Sequence, residues 1–205
     1  MMCYELKLII FEIFAYLCGS IPFGLIISKL VKNIDIRNYG SHNIGSTNVA
    51  RTLGKKWGAL VLLLDGSKAL FALLLASYIF NSSDFILAIT TFSVVIGHIF
   101  PVWLKFKGGK GIACILFSLF VIDYKLGLLF LATWIVMFLF FKISALSALT
   151  AMVISTIFSL FISITYFILM ILLSLLTFYK HKGNIQRILN GEELKFKKEK
   201  SYPPA

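Results

Sequence analysis

The amino-acid sequence predicts an all-α integral membrane protein, a seven-span helical bundle with its N-terminus outside and its C-terminus in the cytoplasm. Composition sets the class: 59 % of the 205 residues are hydrophobic and 14 % are charged. A mean hydropathy of +0.91 means more apolar surface than the core of one soluble domain would cover. Charge sets the orientation. All of the 20 Lys and Arg except Lys7, Lys68 and Lys125 fall in four segments, 29–56, 105–110, 142 and 180–200. Seven crossings put those segments on one side, which the excess of positive charge marks as cytoplasmic. A five-span count breaks this agreement.

The first span is Leu8 to Ile27, long enough to cross a hydrocarbon core of about 30 Å as a helix. Glu5 and Glu12 interrupt the order of a signal peptide and no small-x-small cleavage site follows, so the segment is expected to remain. Trp57 to Phe80 and Phe85 to Leu104 are the next two. Ile112 to Ile122 is a short or tilted span, or a re-entrant segment, and Leu126 to Phe141 follows it. Ile143 to Tyr179 carries no formal charge and as one helix would reach about 56 Å. A hairpin near Ser159 to Thr165 divides it into two crossings. With no internal repeat, residues 1–205 read as one domain with a basic cytoplasmic tail from about 181, frayed over "KFKKEKSYPPA". The net charge of +11 fits basic loops facing anionic lipid, and nucleic acid is not an expected partner. Cys3, Cys18 and Cys114 have no metal-ligand spacing and read as apolar filler.

Three polar clusters stand on the basic side. "GSHNIGSTN", Gly40 to Asn48, has the residue types of a sharply turning backbone that starts a helix and offers N–H groups to an anion. Arg51 follows Thr47 at helical spacing, where its planar fork suits phosphate. "KFKGGKG", Lys105 to Gly111, sets Lys110 and a glycine pair before a helix start, a plausible phosphate cradle without the Walker A pattern. "HKGNIQRILNGEE", His181 to Glu193, offers His181, Asn184, Arg187 and Glu193, with Ile185, Ile188 and Leu189 spaced to lie along the interface. A solvated capping turn, a basic membrane-edge loop and an anchoring helix are the respective structural alternatives. Within the spans, Asp65 and Lys68 share a helix face and are expected to pair. His98, just before Pro101, reads as a buried, hydrogen-bonded histidine. No HxxxxD, GxSxG or HExxH occurs, so the chemistry on offer is anion binding with neutral donors.

These clusters, with "GSIPFG" at Gly19, "GSHNIGSTNVAR" at Gly40 and "GHIFPVWLKFKGGKG" at Gly97, appear in the order of the acyl-phosphate:glycerol-3-phosphate acyltransferase (PlsY) family of bacterial membranes. The sequence resembles that family from the first span to the tail. The resemblance implies acyl transfer from an acyl phosphate to the 1-hydroxyl of glycerol 3-phosphate, giving lysophosphatidic acid and phosphate at the cytoplasmic face of the inner membrane. No cofactor or metal is implied. Membrane lipid is a partner, and coupling to an acyl-phosphate-producing enzyme is compatible. Carried over, Ser41, Arg51, Lys110, His181 and Asn184 are the catalytic set. Arg51, Lys110, Ser144, His181 and Asn184 are assigned to glycerol 3-phosphate. Ser41, Asn43, Gly45, Thr47, Asn48, Gly108, Gly109, Lys110 and Gly111 are assigned to the acyl phosphate.

The sequence departs from the family pattern at His42, where glycine is expected, at Ser46 and at Cys114. If position 42 needs a positive φ, His42 carries strain there. The competing reading is a transporter or flippase for an organophosphate or lipid, which requires a polar path through both leaflets. The short, nearly uncharged outer loops disfavour it.

Overall fold

The computed structural model describes residues 3–196, which form helices and no strands. In chain order these are α1 (Tyr4–Ser20), α2 (Phe23–Lys32), α3 (Ser46–Leu53), α4 (Lys55–Phe80), α5 (Asp84–Ile99), α6 (Ile112–Ile122), α7 (Tyr124–Phe141), α8 (Ser144–Ser159), α9 (Ile164–Lys180) and α10 (Lys182–Leu189). Four segments are long and apolar enough to cross a membrane: Tyr4–Lys32, Lys55–Phe80, Asp84–Leu104 and Tyr124–Phe141. α9 and α10, bent by 63° to each other, pass the same test only when taken together, and α6 and α8 are shorter apolar helices. Outward-facing Phe71 and Leu74 on α4, Phe140 on α7 and Leu175 on α9 are exposed, as an integral membrane protein requires.

Helix ends follow local chemistry. The expected first span is broken at Ile21–Pro22, because proline cannot donate to the helix ladder and its ring crowds the preceding turn. The third expected span runs to Leu104, but its α-helix ends at Ile99; Pro101 restricts the residue before it, and a 3-10 turn occupies Val102–Leu104. Asp123 starts α7 at Tyr124 by accepting from the amides of Lys125 and Leu126. The expected hairpin falls between Ser159 and Ile164, with Ser163 capping α9. The basic end of the tail, 197–205, lies outside the described residues. Phe196 is docked: its N–H donates to Lys142 O at 2.7 Å and its ring meets Phe138 edge-on.

A continuous apolar core runs among α1 and α4–α9, including Leu73, Val94, Ile115, Leu119, Phe130, Met152 and Leu173. Where α1 crosses α5, backbones touch. A Cβ on Gly19 would sit 2.1 Å from Val94 O, and one on Gly97 2.1 Å from Tyr16 O. Small residues permit this approach where water supplies no driving force between helices. A second cluster of Leu25, Ile36, Ile44, Val49 and Val61 fastens the 33–45 loop to α2, α3 and α4.

Buried polar groups tie these pieces together. The Lys68 ammonium donates to Asp65 Oδ1 and to Ile21 O at the α1–α2 break, both at 2.8 Å, and lies 3.0 Å from His98 Nδ1, which is itself 3.6 Å from Asp65 Oδ1. This cluster joins the α1–α2 break to α4 and α5. Asp65, Lys68 and His98 are all buried, as their spacing predicts. Truncating Asp65 strands a buried cation, and breaking such a pair costs about 3–5 kcal/mol. Asp65→Ala is therefore expected to lower the thermal midpoint in detergent by several degrees and to reduce folded yield. An unchanged midpoint would contradict this role.

Candidate functional site

The 40–48 segment folds around Asn48. Its Nδ2 donates to the carbonyls of Ile36, Tyr39 and Asn43 at 3.2, 3.0 and 2.8 Å, and its Oδ1 accepts the Ser41 N–H at 2.8 Å. Asn43 Oδ1 in turn accepts the Gly45 N–H at 2.8 Å. The loop is thus pinned from within, and α3 begins at Ser46; the Asn48 N–H turns back to Gly45 O at 3.0 Å, leaving the Ser46 and Thr47 amides as the ones without an intrahelical acceptor. Gly40 has φ +57°, and a Cβ there would lie 2.3 Å from Asn48 Oδ1. His42 has φ +55°, the strained conformation that the glycine pattern implies.

A cavity of about 220 Å³ opens at this end of the bundle. It gathers Ser41, Asn43, Gly45, Thr47, Asn48, Arg51, Lys110, Gly111, Ser144, His181 and Asn184, drawn from four separated stretches of sequence. Thr47 Oγ1 and Ser144 Oγ are 3.1 Å apart, joining α3 to the start of α8. Arg51, one turn beyond Thr47, donates to Leu194 O at 3.5 Å and lies 6.0 Å from the Phe196 ring centroid.

A polar chain crosses the opposite wall. Lys110 Nζ donates to Asn184 Oδ1, Asn184 Nδ2 donates to Glu193 Oε1 at 2.7 Å, and Arg187 Nε donates to Glu193 Oε2 at 2.8 Å. The chain fixes the Asn184 amide and leaves Lys110 further N–H groups for a ligand. Burial lowers the Lys110 pKa to about 8, with Glu193 opposing and Arg187, Lys180 and Arg51 adding to the shift. His181, just past α9, donates from Nδ1 to Thr177 O at 2.8 Å, so Nε2 is its remaining polar atom. Burial first and Lys110 second lower its pKa to about 3, leaving a neutral ring whose Nε2 accepts hydrogen bonds.

Two expected members stand outside this cavity. The Gly108 and Gly109 amides donate to Ile99 O and His98 O, both at 3.1 Å, and so cannot also cradle a phosphate. Their small size serves packing instead: a Cβ on Gly109 would lie 2.2 Å from His98 Nε2, and one on Gly108 2.3 Å from Pro101 Cδ. Asn48 lines the cavity with its polar atoms already committed to the loop. Sequence reasoning did not assign the apolar wall, which includes Leu116, Phe130, Leu131, Trp134 and Ile135, nor Asp65 and His98 as lining residues. Glu193 was noted only as a further handle; its position after the α10 glycine was the available signal.

A family profile described as glycerol-3-phosphate acyltransferase matches residues 9–191. The glycerol-3-phosphate acyltransferase of Pelagibacter ubique is 42 % identical over 192 residues, covering 94 % of this chain and 99 % of that one. The crystal structure of PlsY (YgiH), an integral membrane glycerol 3-phosphate acyltransferase, in its glycerol 3-phosphate form superposes with a TM-score of 0.88 and 37 % identity, covering 93 % of this chain and 96 % of that one. Its lysophosphatidic acid form gives 0.86 and 36 %, covering 94 % and 96 %.

The Lys110 pKa gives the site a pH signature. A phosphate monoester is mainly a dianion above about pH 6, while Lys110 loses its charge as pH rises through about 8. Affinity for such an anion is expected to be greatest between these values. Above pH 8 the dissociation constant should rise by up to about tenfold per unit, because binding must then take up a proton. Calorimetric titration with glycerol 3-phosphate from pH 6 to 10 tests this, and a flat profile would refute it.

Proposed function

The chain belongs to the glycerol-3-phosphate acyltransferase family, and from that premise we propose that it transfers a fatty acyl group from an acyl phosphate to the 1-hydroxyl of glycerol 3-phosphate. The products are lysophosphatidic acid and inorganic phosphate. One observation carries the reading: a single cavity joins a basic polar end, with Arg51, Lys110, His181 and Asn184, to an apolar wall from α6 and α7. Such a cavity suits an anionic headgroup and an acyl chain together.

In this reading Arg51 and Lys110 hold glycerol 3-phosphate, with Ser144 and Asn184 fixing its orientation. The α3 amides, with Ser41 and Thr47, face the acyl phosphate. The neutral His181 Nε2 accepts a hydrogen bond from the attacking hydroxyl and aims it at the carbonyl carbon. Nδ1 of His181 is committed to Thr177 O, so the ring orients the hydroxyl through Nε2, and a substrate phosphate oxygen receives the proton. The oxygen–carbonyl bond forms, the carbonyl–phosphate bond breaks, and phosphate leaves with the electron pair. An acyl phosphate is already activated, so orientation and donors aimed at the developing oxyanion supply the catalysis. Among the described residues, no cavity hydroxyl is hydrogen-bonded to a histidine or carboxylate, which supports transfer without an acyl-enzyme.

The proposed topology has seven crossings: α1 with α2, then α4, α5, α6, α7, α8 and α9. α6 has 11 residues and rises only about 16 Å. The 108–111 loop therefore sits at the membrane edge, where buried amides need internal partners; the Gly108 and Gly109 pairings with α5 carbonyls support this. The excess of positive charge in the basic loops supports a cavity on the cytoplasmic side of a bacterial inner membrane. An acyl-phosphate-producing enzyme supplies the donor.

The test supplies purified protein with palmitoyl phosphate and glycerol 3-phosphate, following phosphate release and lysophosphatidic acid together. Equal amounts of the two are expected. Lys110→Ala and Asn184→Ala should each lower turnover at least about 100-fold without shifting the thermal midpoint. Transfer only from acyl-CoA or acyl carrier protein would overturn the donor, and wild-type rates in both variants would overturn the site.

A further inference from the structure

The loops that build the catalytic cavity also wall a second cleft, of about 420 Å³. Neighbouring residues divide between the two. Ser41 and Asn43 line the first and His42 the second; Lys110 and Gly111 the first and Lys107 and Gly108 the second; His181 the first and Tyr179 and Lys180 the second. Arg37 completes a basic lining. Its guanidinium is matched by Asp35 at 2.6 Å, whereas among the described residues neither Lys107 nor Lys180 has a carboxylate within ion-pair distance. Lys180 instead lies 5.2 Å from the Phe100 ring centroid.

Two residues of this cleft hold unfavourable backbone conformations: His42 at φ +55° and Phe106 at φ +61°. Glycine would occupy either without strain, and such outliers cluster at ligand sites. The His42 side chain is committed, with Nδ1 donating to Arg37 O at 3.0 Å and Nε2 left over. Phe106 and Tyr179 are more than half exposed beside the lysines. Aromatic and basic side chains together at the end of apolar helices are the composition of the lipid headgroup region.

We propose that this cleft binds the phosphate of an anionic phospholipid headgroup, held by Lys107, Lys180 and Arg37 against an aromatic rim, with the His42 ring forming part of the wall. The bound lipid then braces all three catalytic loops from behind. The inference rests on membrane embedding and is independent of which acyl donor the enzyme uses.

Native mass spectrometry of the protein in neutral detergent, titrated with phosphatidylglycerol or phosphatidylcholine, tests it. One saturable phosphatidylglycerol per chain is expected, with phosphatidylcholine bound far more weakly and millimolar inorganic phosphate unable to displace the lipid. A basic side chain near an anionic lipid surface contributes about fivefold, so the Lys107→Ala/Lys180→Ala double variant should bind about 25-fold more weakly. His42→Gly removes a cleft residue at a position whose φ suits glycine. It should weaken binding severalfold while keeping the wild-type thermal midpoint. Equal phosphatidylglycerol affinity in wild type and both variants would overturn the proposal, as would displacement by inorganic phosphate without headgroup selectivity.

Discussion

The Lys68 ammonium is the contact on which the rest of this bundle depends. A charge at membrane depth is tolerated only where protein groups replace water. Here the replacement comes from a carboxylate on α4, an imidazole on α5 and the carbonyl freed where Pro22 breaks the first span. His98 presents Nδ1 to Lys68 and Asp65, and its opposite edge, at Nε2, is the one against which Gly109 packs. The buried charge thus sets the floor under the glycine loop that carries Lys110. Asp65 and His98 also line the polar cavity, so the stability of the bundle and the shape of the proposed site share the same atoms.

Above that floor, the polar side chains fall into two kinds. Asn48 and Asn43 satisfy backbone groups of a turning segment and have little left for a ligand, whereas Lys110, His181 and Asn184 are held by one or two contacts with polar atoms to spare. That division is a form of preorganisation: the first kind fixes where the amides of α3 point, and in the proposed chemistry the second meets the substrate. Glu193 belongs between them. Its carboxylate orients Asn184 and Arg187 at once, and it opposes the downward shift of Lys110.

Most of the helical layout was legible in the sequence because hydropathy reports burial in lipid directly. Even the hairpin within the uncharged 143–179 run could be placed, from length alone. The polar loops were legible for a related reason: in so apolar a chain, a stretch such as "GSHNIGSTN" needs a structural or chemical cause. Proline effects were legible in part: distortion ahead of Pro101 is expected from the sequence and α5 does end at Ile99, whereas the break at Ile21–Pro22 falls inside what reads as one continuous span. The roles of Gly108 and Gly109 were misread because a glycine pair beside lysines fits both an anion cradle and a close helix contact, and only the partners of the amides decide. The apolar wall was not legible at all. Phe130 and Trp134 face a cavity and Phe140 faces lipid, yet hydropathy scores both surroundings alike.

The proposed chemistry asks the protein to orient two anionic substrates rather than to bond to either of them. The most direct measurement is the intact mass of the protein after incubation with acyl phosphate in the absence of glycerol 3-phosphate, followed by rapid denaturation. Direct transfer within a ternary complex predicts an unmodified chain. A stoichiometric acyl adduct that glycerol 3-phosphate then discharges to lysophosphatidic acid would contradict the account.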